Sequence, residues 1–362
     1  MSTSLRAIST KRAVSPPRLA LLGTGVVGSA FVLRYQRVQE KRTLAVPGFS
    51  WLANSRALCP CDESPMRALE HANAAPVQSG LSSPWAEAES LRSGDIVVDA
   101  TASESVADWH ARWLSRGVHV VTANKLGGGS ALARAQSIAC SRVQSGAQYG
   151  DSATVGAGLP LLRTLRALVA GGDRIHRVEG VLSGSLAWLF DRFDGTRPFS
   201  QLLREARQAG FTEPDPRIDL SGEDVRRKLL ILARAAGLPL QADEVRVDSL
   251  VPPELAALHA DALDGALDQL DAPLSARFRQ ARDRSEKLYF LGRFDTEGAS
   301  VGLRSLPVDH PLCGGSGTDN RVAIFSDRYC RQPLLIQGPG AGAAVTAAAL
   351  LDDVLSIVHR WH

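Results

Sequence analysis

Arg18-Leu-Ala-Leu-Leu-Gly23-Thr-Gly25-Val-Val-Gly28-Ser-Ala-Phe-Val32 begins as a short apolar run and continues through three glycines spaced G-x-G-x-x-G. A strand before the glycines and a helix after them turn a weak motif into a specific one. Gly23 permits the tight turn, Gly25 lets a pyrophosphate approach the backbone, and Gly28 lets helix and strand pack closely. The phosphates then meet the positive end of the helix dipole. A second strand is predicted around Gly48-Phe-Ser-Trp-Leu-Ala53, ending at Asn54-Ser55-Arg56. An NAD-selective site presents Asp or Glu at this point to the ribose hydroxyl. This chain has neither, and Arg56 is placed to hold a 2′-phosphate, which favours NADP(H) and leaves NAD(H) as the alternative. Asp95-Ile-Val-Val-Asp-Ala-Thr101 and Val118-His-Val-Val-Thr-Ala-Asn-Lys125 read as further parallel strands. Their polar carboxyl ends lie where open α/β sheets bind ligands, so Thr101 and Lys125 are candidates for cofactor or substrate contact.

A second informative stretch is Glu213-Pro-Asp-Pro-Arg-Ile-Asp-Leu-Ser-Gly-Glu-Asp-Val-Arg-Arg-Lys228. Pro214 and Pro216 disfavour the helical region for Glu213 and Asp215, which predicts an extended first half. Ser221 is predicted as a helix N-cap, with Asp224 as a short-armed capping-box partner. Asp224 and Lys228 then share a helical face one turn apart. A structural ion pair satisfies that spacing as well as a catalytic one does. Composition shifts the balance, because only five of the 41 Lys and Arg residues are lysines: Lys11, Lys41, Lys125, Lys228 and Lys287. Where only positive charge is required this chain uses arginine, so a lysine is a candidate for giving up a proton. Lys228 also borders the apolar run Leu229-Leu-Ile-Leu-Ala233. Loss of water there is a usual route to a lysine that exchanges protons.

With 362 residues and 44% apolar content the chain has room for two globular domains. A net charge of +3, with basic residues scattered and not interleaved with aromatics, gives no basis for nucleic-acid binding. No apolar run reaches the length of a membrane span. Among five cysteines, Cys59-Pro-Cys61 lacks zinc-site spacing, and a reduced, cytoplasmic setting is expected. Residues 1–17 are Ser-rich and basic and read as a disordered leader. The eight histidines show no paired metal spacing, and His110, His119 and His176 are expected to be ordinary surface or core residues. Near the C-terminus, Gly338-Pro-Gly-Ala-Gly342 precedes a helix and forms either a chain reversal or a second phosphate or ribose contact.

Collected in order, these motifs resemble the homoserine dehydrogenase family from about residue 18 to the C-terminus. The resemblance is carried by Gly23-Thr-Gly-Val-Val-Gly28, Ala123-Asn-Lys125, Ala153-Thr-Val-Gly-Ala-Gly-Leu-Pro160 and Leu182-Ser-Gly-Ser-Leu186. Glu213-Pro-Asp-Pro-Arg217 with Asp224-Val-Arg-Arg-Lys228, and Gly340-Ala-Gly-Ala-Ala-Val-Thr346, complete it. It implies reversible reduction of L-aspartate 4-semialdehyde to L-homoserine with NADPH or NADH, on the route to threonine, methionine and isoleucine. It also implies Lys228 as acid/base residue, with Lys125 near the nicotinamide and the reacting oxygen. Glu213 matches the substrate-binding carboxylate, with Asp219 and Asp224 beside it. Thr24, Gly25, Val26, Thr101, Lys125 and Gly342 fall on cofactor contacts. The implied fold is α/β. A Rossmann-type dinucleotide-binding domain spans 18–150, completed by the C-terminal helix 335–362. An α+β substrate-binding and dimerisation domain covers 151–334, and the resemblance makes a homodimer the expected assembly.

Two other functions remain to be weighed. Aspartate-semialdehyde dehydrogenase chemistry needs a cysteine nucleophile, and Cys140 and Cys313 lie in no matching motif. A non-catalytic NADP-binding sensor of the same fold has no need of Lys125, Glu213, Asp224 and Lys228.

Three departures from the family pattern carry expectations. Ile218 replaces the first of two successive aspartates, leaving Asp219. Val155, Ala157 and Leu159 match the carbonyl ligands of a structural monovalent cation, usually sodium, but the position of the ligating glutamate is Ser152. Asp151 is adjacent, yet neighbours on a strand point opposite ways. No kinase or ACT domain is expected, and with it no threonine inhibition through such a domain. A neutral ligand weakens binding of a hard cation. Turnover should therefore depend weakly or not at all on sodium; steep, saturable activation by added Na⁺ contradicts this.

Overall fold

Leu19 to Leu22 are apolar on both faces and fully buried, the pattern of a central strand covered by helices on both sides. The structure is a computed structural model and describes residues 16–41, 46–62, 64–76, 90–315 and 317–359. The predicted leader therefore falls, up to residue 15, outside the described residues. The first sheet contains β1 (Arg18–Leu22), β2 (Gly48–Ala53), β3 (Leu58–Pro60), β4 (Ile96–Asp99), β5 (His119–Thr122) and β6 (Tyr149–Gly150). Their order is β3-β2-β1-β4-β5-β6, and every pair is parallel except β2–β3. Around the sheet lie helices α1 (Val26–Lys41), α2 (Pro65–Ala74), α3 (Glu104–Ser115) and α4 (Leu132–Ser145). Alternation along β1 divides the core: Leu19 and Leu21 pack with Phe31 and Val32 of α1, Ala20 and Leu22 with Trp113 and Leu114 of α3.

The second sheet comprises β7 (Ile175–Val181), β8 (Val245–Val247), β9 (Glu286–Asp295), β10 (Gly298–Pro307), β11 (Asp319–Ser326) and β12 (Leu334–Pro339). Its order is β12-β11-β7-β9-β10-β8, antiparallel apart from β10–β8. The helices of this region are α5 (Leu161–Ala170), α6 (Gly184–Arg192), α7 (Phe199–Gln208), α8 (Arg217–Leu220) and α9 (Glu223–Ala235). They are followed by α10 (Pro253–Ala256), α11 (Ala260–Ala266) and α12 (Asp271–Asp283). One face of the sheet, with Phe290, Phe294, Val322 and Ile324, joins these helices in the largest core. The opposite face carries Tyr289, Leu291 and Ala323, packed with Leu312.

The chain finally returns to the first sheet. Leu334–Pro339 is a strand of the second sheet, paired with β11, so only α13 (Ala343–Val358) reaches back to α1. Its inward stripe includes Ala347, Leu350, Leu351 and Val354. Each fully buried leucine contributes roughly 1.5–3 kcal/mol, so apolar burial dominates the docking of this helix. No helix among the described residues is long and apolar enough to cross a membrane.

The Glu213–Lys228 stretch differs from its expected form. The prolines keep residues 213–216 out of a helix, but Arg217–Leu220 makes a helical turn of its own. Ser221 closes that turn and does not open the next helix. Its hydroxyl donates to the Ile218 carbonyl at 2.8 Å and accepts from the Glu223 amide at 3.2 Å. The reversal into α9 needs a left-handed residue, and Gly222 (φ 78°) supplies it as N-cap. Asp224 is thereby released from any capping role.

Candidate active site

The candidate site is built from the carboxyl-terminal ends of β1, β4, β5 and β7 and the start of α9. At the end of β1, Gly23 holds φ 93°, and a Cβ at Gly28 would come within 1.8 Å of the Gly23 carbonyl oxygen. A Cβ at Gly25 would meet nothing within 4 Å. The turn is tight beneath and open above, as a pyrophosphate requires. It forms one wall of a cavity of about 430 Å³, which also takes in Asn54, Arg56, Asn73 and Thr101. Val26, at the first turn of α1, is 79% exposed and leaves the helix N-terminus accessible.

The polar groups around this cavity divide into supports and free contacts. The Thr24 hydroxyl donates to Asn73 Oδ1 at 2.6 Å and accepts from Asn54 Nδ2 at 2.9 Å. Asn54 Oδ1 in turn accepts from the Arg56 and Ala57 amides at 2.8 and 3.0 Å. Asn54 therefore shapes the turn that carries Arg56, a role that the missing acidic residue did not reveal. Thr101 donates its amide and hydroxyl to Asp99 Oδ1 at 2.8 and 2.6 Å. Asp99 and His110 are both fully buried, and His110 Nε2 lies 2.9 Å from Asp99 Oδ2. The other ring nitrogen lies 3.1 Å from the Tyr149 hydroxyl. Asn124 donates to Asp99 Oδ2 at 3.0 Å and to the Ser103 carbonyl at 2.8 Å. A buried carboxylate is thus satisfied by donors that fix Thr101 and the residue just before Lys125. His110 is a core residue as expected, but a polar one that supports the site.

Lys125, Asp224 and Lys228 come together. Lys228 Nζ lies 2.7 Å from Asp224 Oδ2, and Lys125 Nζ lies 3.3 Å from Asp224 Oδ1. Lys228 is buried, as its place beside the apolar run implied, but its Nζ also donates to the Leu182 carbonyl at 2.7 Å. Burial alone would push the Asp224 carboxyl up; the ammonium groups of Lys228 and Lys125 overcome this and hold it at about 2. Beside this bridge, Asp219 accepts from the Ser185 hydroxyl at 2.6 Å and from the Glu213 amide at 2.9 Å. The Ser183 side chain caps α6, accepting from the Leu186 amide at 3.3 Å. Ser185 and the Leu182 carbonyl are site contributors that the sequence showed only as parts of a motif. Glu213 is exposed, as is Ile218 at 57%.

Gly342 (φ 118°) is the N-cap of α13 and follows the close contact between Gly340 and Asn320. Asn320 is itself buried and donates to the Val181 carbonyl at 2.9 Å, one residue before Leu182. The second glycine loop is thereby tied to the strand end that holds Lys228.

The side chains at and beside the position of the missing glutamate are engaged with other groups. The Ser152 amide and hydroxyl donate to Asp353 at 3.0 and 2.8 Å. Both Asp151 oxygens are taken by Arg166 at 2.6 and 2.7 Å. The strand-alternation reason for discounting Asp151 does not apply, because β6 ends at Gly150 and Ser152–Thr154 is a 3₁₀ turn. Of the three carbonyls of Val155, Ala157 and Leu159, that of Leu159 already accepts from the Leu161 amide at 2.8 Å. Burial pushes the Asp353 carboxyl up to about 6, against the Ser152 hydrogen bonds and with the nearby Asp151 charge. Among the described residues no group of three or more His, Cys, Asp or Glu is arranged to hold a metal ion.

A Rossmann-type sheet with an open phosphate turn, next to two lysines sharing one carboxylate, is the arrangement of a dinucleotide-binding fold. Comparison with known proteins makes the class specific. Residues 23–142 match the family model for the homoserine dehydrogenase NAD-binding domain, and residues 160–355 match that for homoserine dehydrogenase. A homoserine dehydrogenase of Paracoccidioides brasiliensis is 36% identical over 369 residues, covering 95% of this chain and 98% of its own. The chloroplastic bifunctional aspartokinase/homoserine dehydrogenase 1 of Arabidopsis thaliana is 38% identical over 98% of this chain, which spans 40% of that relative's length. A crystal structure of a Candida auris protein of unknown function superposes with a TM-score of 0.84 at 33% identity, over 95% of this chain and 99% of that one. The chain belongs to the homoserine dehydrogenase family.

The bridge yields a pH-dependent prediction. Asp224 is held at about 2, below its ordinary 3.8, so its stabilising contribution is complete above about pH 3.8 and is lost as pH falls through about 2. Because 44% of its side chain remains exposed, Asp224→Asn should cost only about 1 kcal/mol at pH 7. Urea unfolding of both proteins from pH 7 toward pH 3 should show that gap narrowing at the acid end. A gap independent of pH contradicts the charge bridge.

Proposed function

We propose that this chain catalyses the reversible reduction of L-aspartate 4-semialdehyde to L-homoserine, with NADPH as the favoured cofactor and Lys228 as acid/base residue. The observation that carries the proposal is the Asp224 carboxylate held between Lys125 and Lys228 at 3.3 and 2.7 Å. When bound, the reduced nicotinamide supplies the hydride. As negative charge develops on the aldehyde oxygen, Lys228 gives it a proton; in the reverse direction the same nitrogen takes the hydroxyl proton. Lys125 adds a second positive charge near that oxygen, and one carboxylate between two ammonium groups leaves the cluster net positive. Glu213 offers its exposed carboxylate to the substrate ammonium, while Asp219 holds the Glu213 backbone in place.

The Gly23–Gly25 turn, the first turn of α1, Thr101 and Gly342 would hold the dinucleotide. Arg56 supports NADPH over NADH, since its guanidinium matches a phosphate and no acidic residue of this turn competes for it. No monovalent cation is required in this reading, because Asp353 and Arg166 already engage Ser152 and Asp151. The chain would act in amino-acid biosynthesis in the cytoplasm, as one half of a homodimer.

The direct test is NADPH oxidation with L-aspartate 4-semialdehyde by wild type and Lys228→Ala. Loss of the proton donor should lower kcat by roughly a hundredfold or more at similar cofactor affinity. Tight NADPH binding without turnover in wild type would instead indicate a sensor, and full kcat in the variant would remove Lys228 from the chemistry. Separately, Arg56→Ala should raise KM for NADPH about tenfold while leaving that for NADH within about twofold. Equal effects on the two cofactors contradict the 2′-phosphate contact.

A further inference from the structure

Lys125 arrives at the site on a loop of the first sheet, whereas Asp224 and Lys228 belong to α9. An ion pair with both partners partly exposed contributes roughly 0–1 kcal/mol, too little to hold two chain segments in register. The holding force lies further along. The Arg234 guanidinium, on the same helix, donates to the Gly128 carbonyl at 2.6 Å and the Ser130 carbonyl at 2.9 Å. It also donates to the Leu240 carbonyl through Nε at 3.2 Å and Nη2 at 2.8 Å. Three carbonyls in two segments are gathered by one rigid planar fork, which the single ammonium of a lysine does not reproduce.

The loop is held from both sides. Gly129 lies so close to α9 that a Cβ there would come within 2.7 Å of the Arg227 carbonyl oxygen, and its amide donates to the Lys125 carbonyl at 2.7 Å. On the other side, a Cβ at Gly127 would meet the Tyr149 hydroxyl at 2.5 Å and His110 Nδ1 at 2.9 Å. Asn124, anchored on Asp99, also accepts from the Leu126 amide at 3.1 Å. The Lys125 loop is therefore clamped between a buried polar platform and the flank of α9.

We propose that Arg234 is a positioning residue that sets the Lys125–Asp224–Lys228 geometry by clasping the Lys125 loop to α9. The proposal rests on the catalytic reading of the two lysines given above. Arg234 lies six positions beyond Lys228, about 9 Å along the helix at 1.5 Å per residue. It therefore acts through the loop rather than by touching the reacting atoms.

A double-mutant cycle in the otherwise intact enzyme tests it. Arg234→Met should lower kcat roughly ten- to a hundredfold, the scale of a misplacement of about 1 Å, with both KM values within about threefold. Arg234→Lys should recover only part of the loss. In a Lys125→Met background the same Arg234→Met change should cost less than about threefold, because the group it positions is gone. An equal loss in both backgrounds, or none in the wild-type background, overturns the clasp. If Arg234→Met does not fold, Gly129→Ala displaces the same loop and enters the cycle in its place, with the same two criteria. An unchanged kcat in Lys125→Met alone would overturn the catalytic reading, and the clasp with it, and is distinguishable from failure of the clasp itself.

Discussion

One carboxylate serves two ammonium groups that arrive from different parts of the chain. Asp224 and Lys228 are joined by helical geometry, four residues apart on α9. Lys125 has no such local constraint and comes from the end of β5. The site therefore exists only if a strand end of a parallel sheet and a helix packed on an antiparallel sheet are held together to within hydrogen-bonding distance. Coulomb attraction between partly exposed groups falls short of that task. It requires backbone contacts, glycines that allow segments to touch, and buried polar groups with every partner in place.

The two sheets meet that requirement in different ways. In the first, Asp99 sits fully buried at a strand end and gathers donors from Thr101, His110 and Asn124. Leaving such a carboxylate without partners costs several kcal/mol, so this network fixes its members strongly. In the second, the end of β7 presents the Leu182 carbonyl to Lys228, and Ser183 caps the helix that carries Ser185. Asn320 links that strand end to the Gly340 loop, after which α13 crosses to the first sheet and packs on α1. The glycine turn, the Lys125–Asp224–Lys228 bridge and the Ser185–Asp219 pair thus share one mechanical frame.

The parts of this arrangement that were legible in the sequence are those governed by local periodicity or by a short motif. The G-x-G-x-x-G turn, the parallel strands and the Asp224–Lys228 spacing all follow from a few consecutive residues. The cap of α9 was misplaced because Ser221 satisfies the local cap pattern equally well. Only the extra turn at Arg217–Leu220 shows that Ser221 ends one helix and that Gly222 begins the next. The final strand was likewise assigned with the returning helix, since nothing in Leu334–Pro339 reveals that its partner is β11. Supports such as Asp99, His110, Asn320 and Arg234 were not legible as site residues, because their partners lie far along the chain. A buried histidine has no sequence signature that separates it from an exposed one. The cation positions show the same limit: Ser152 was legible as a loss of charge, but its engagement by Asp353, about two hundred residues away, was not.

The most direct measurement is the primary deuterium isotope effect on kcat/KM for aldehyde reduction, using NADPH deuterated at the transferred position, in wild type and Lys228→Ala. If Lys228 supplies the proton as hydride arrives, its removal slows that step alone. Hydride transfer then limits the rate more fully, and the isotope effect rises as the rate falls. A rate that falls with an unchanged or smaller isotope effect would place Lys228 in binding, folding or release, and would contradict its role as the acid.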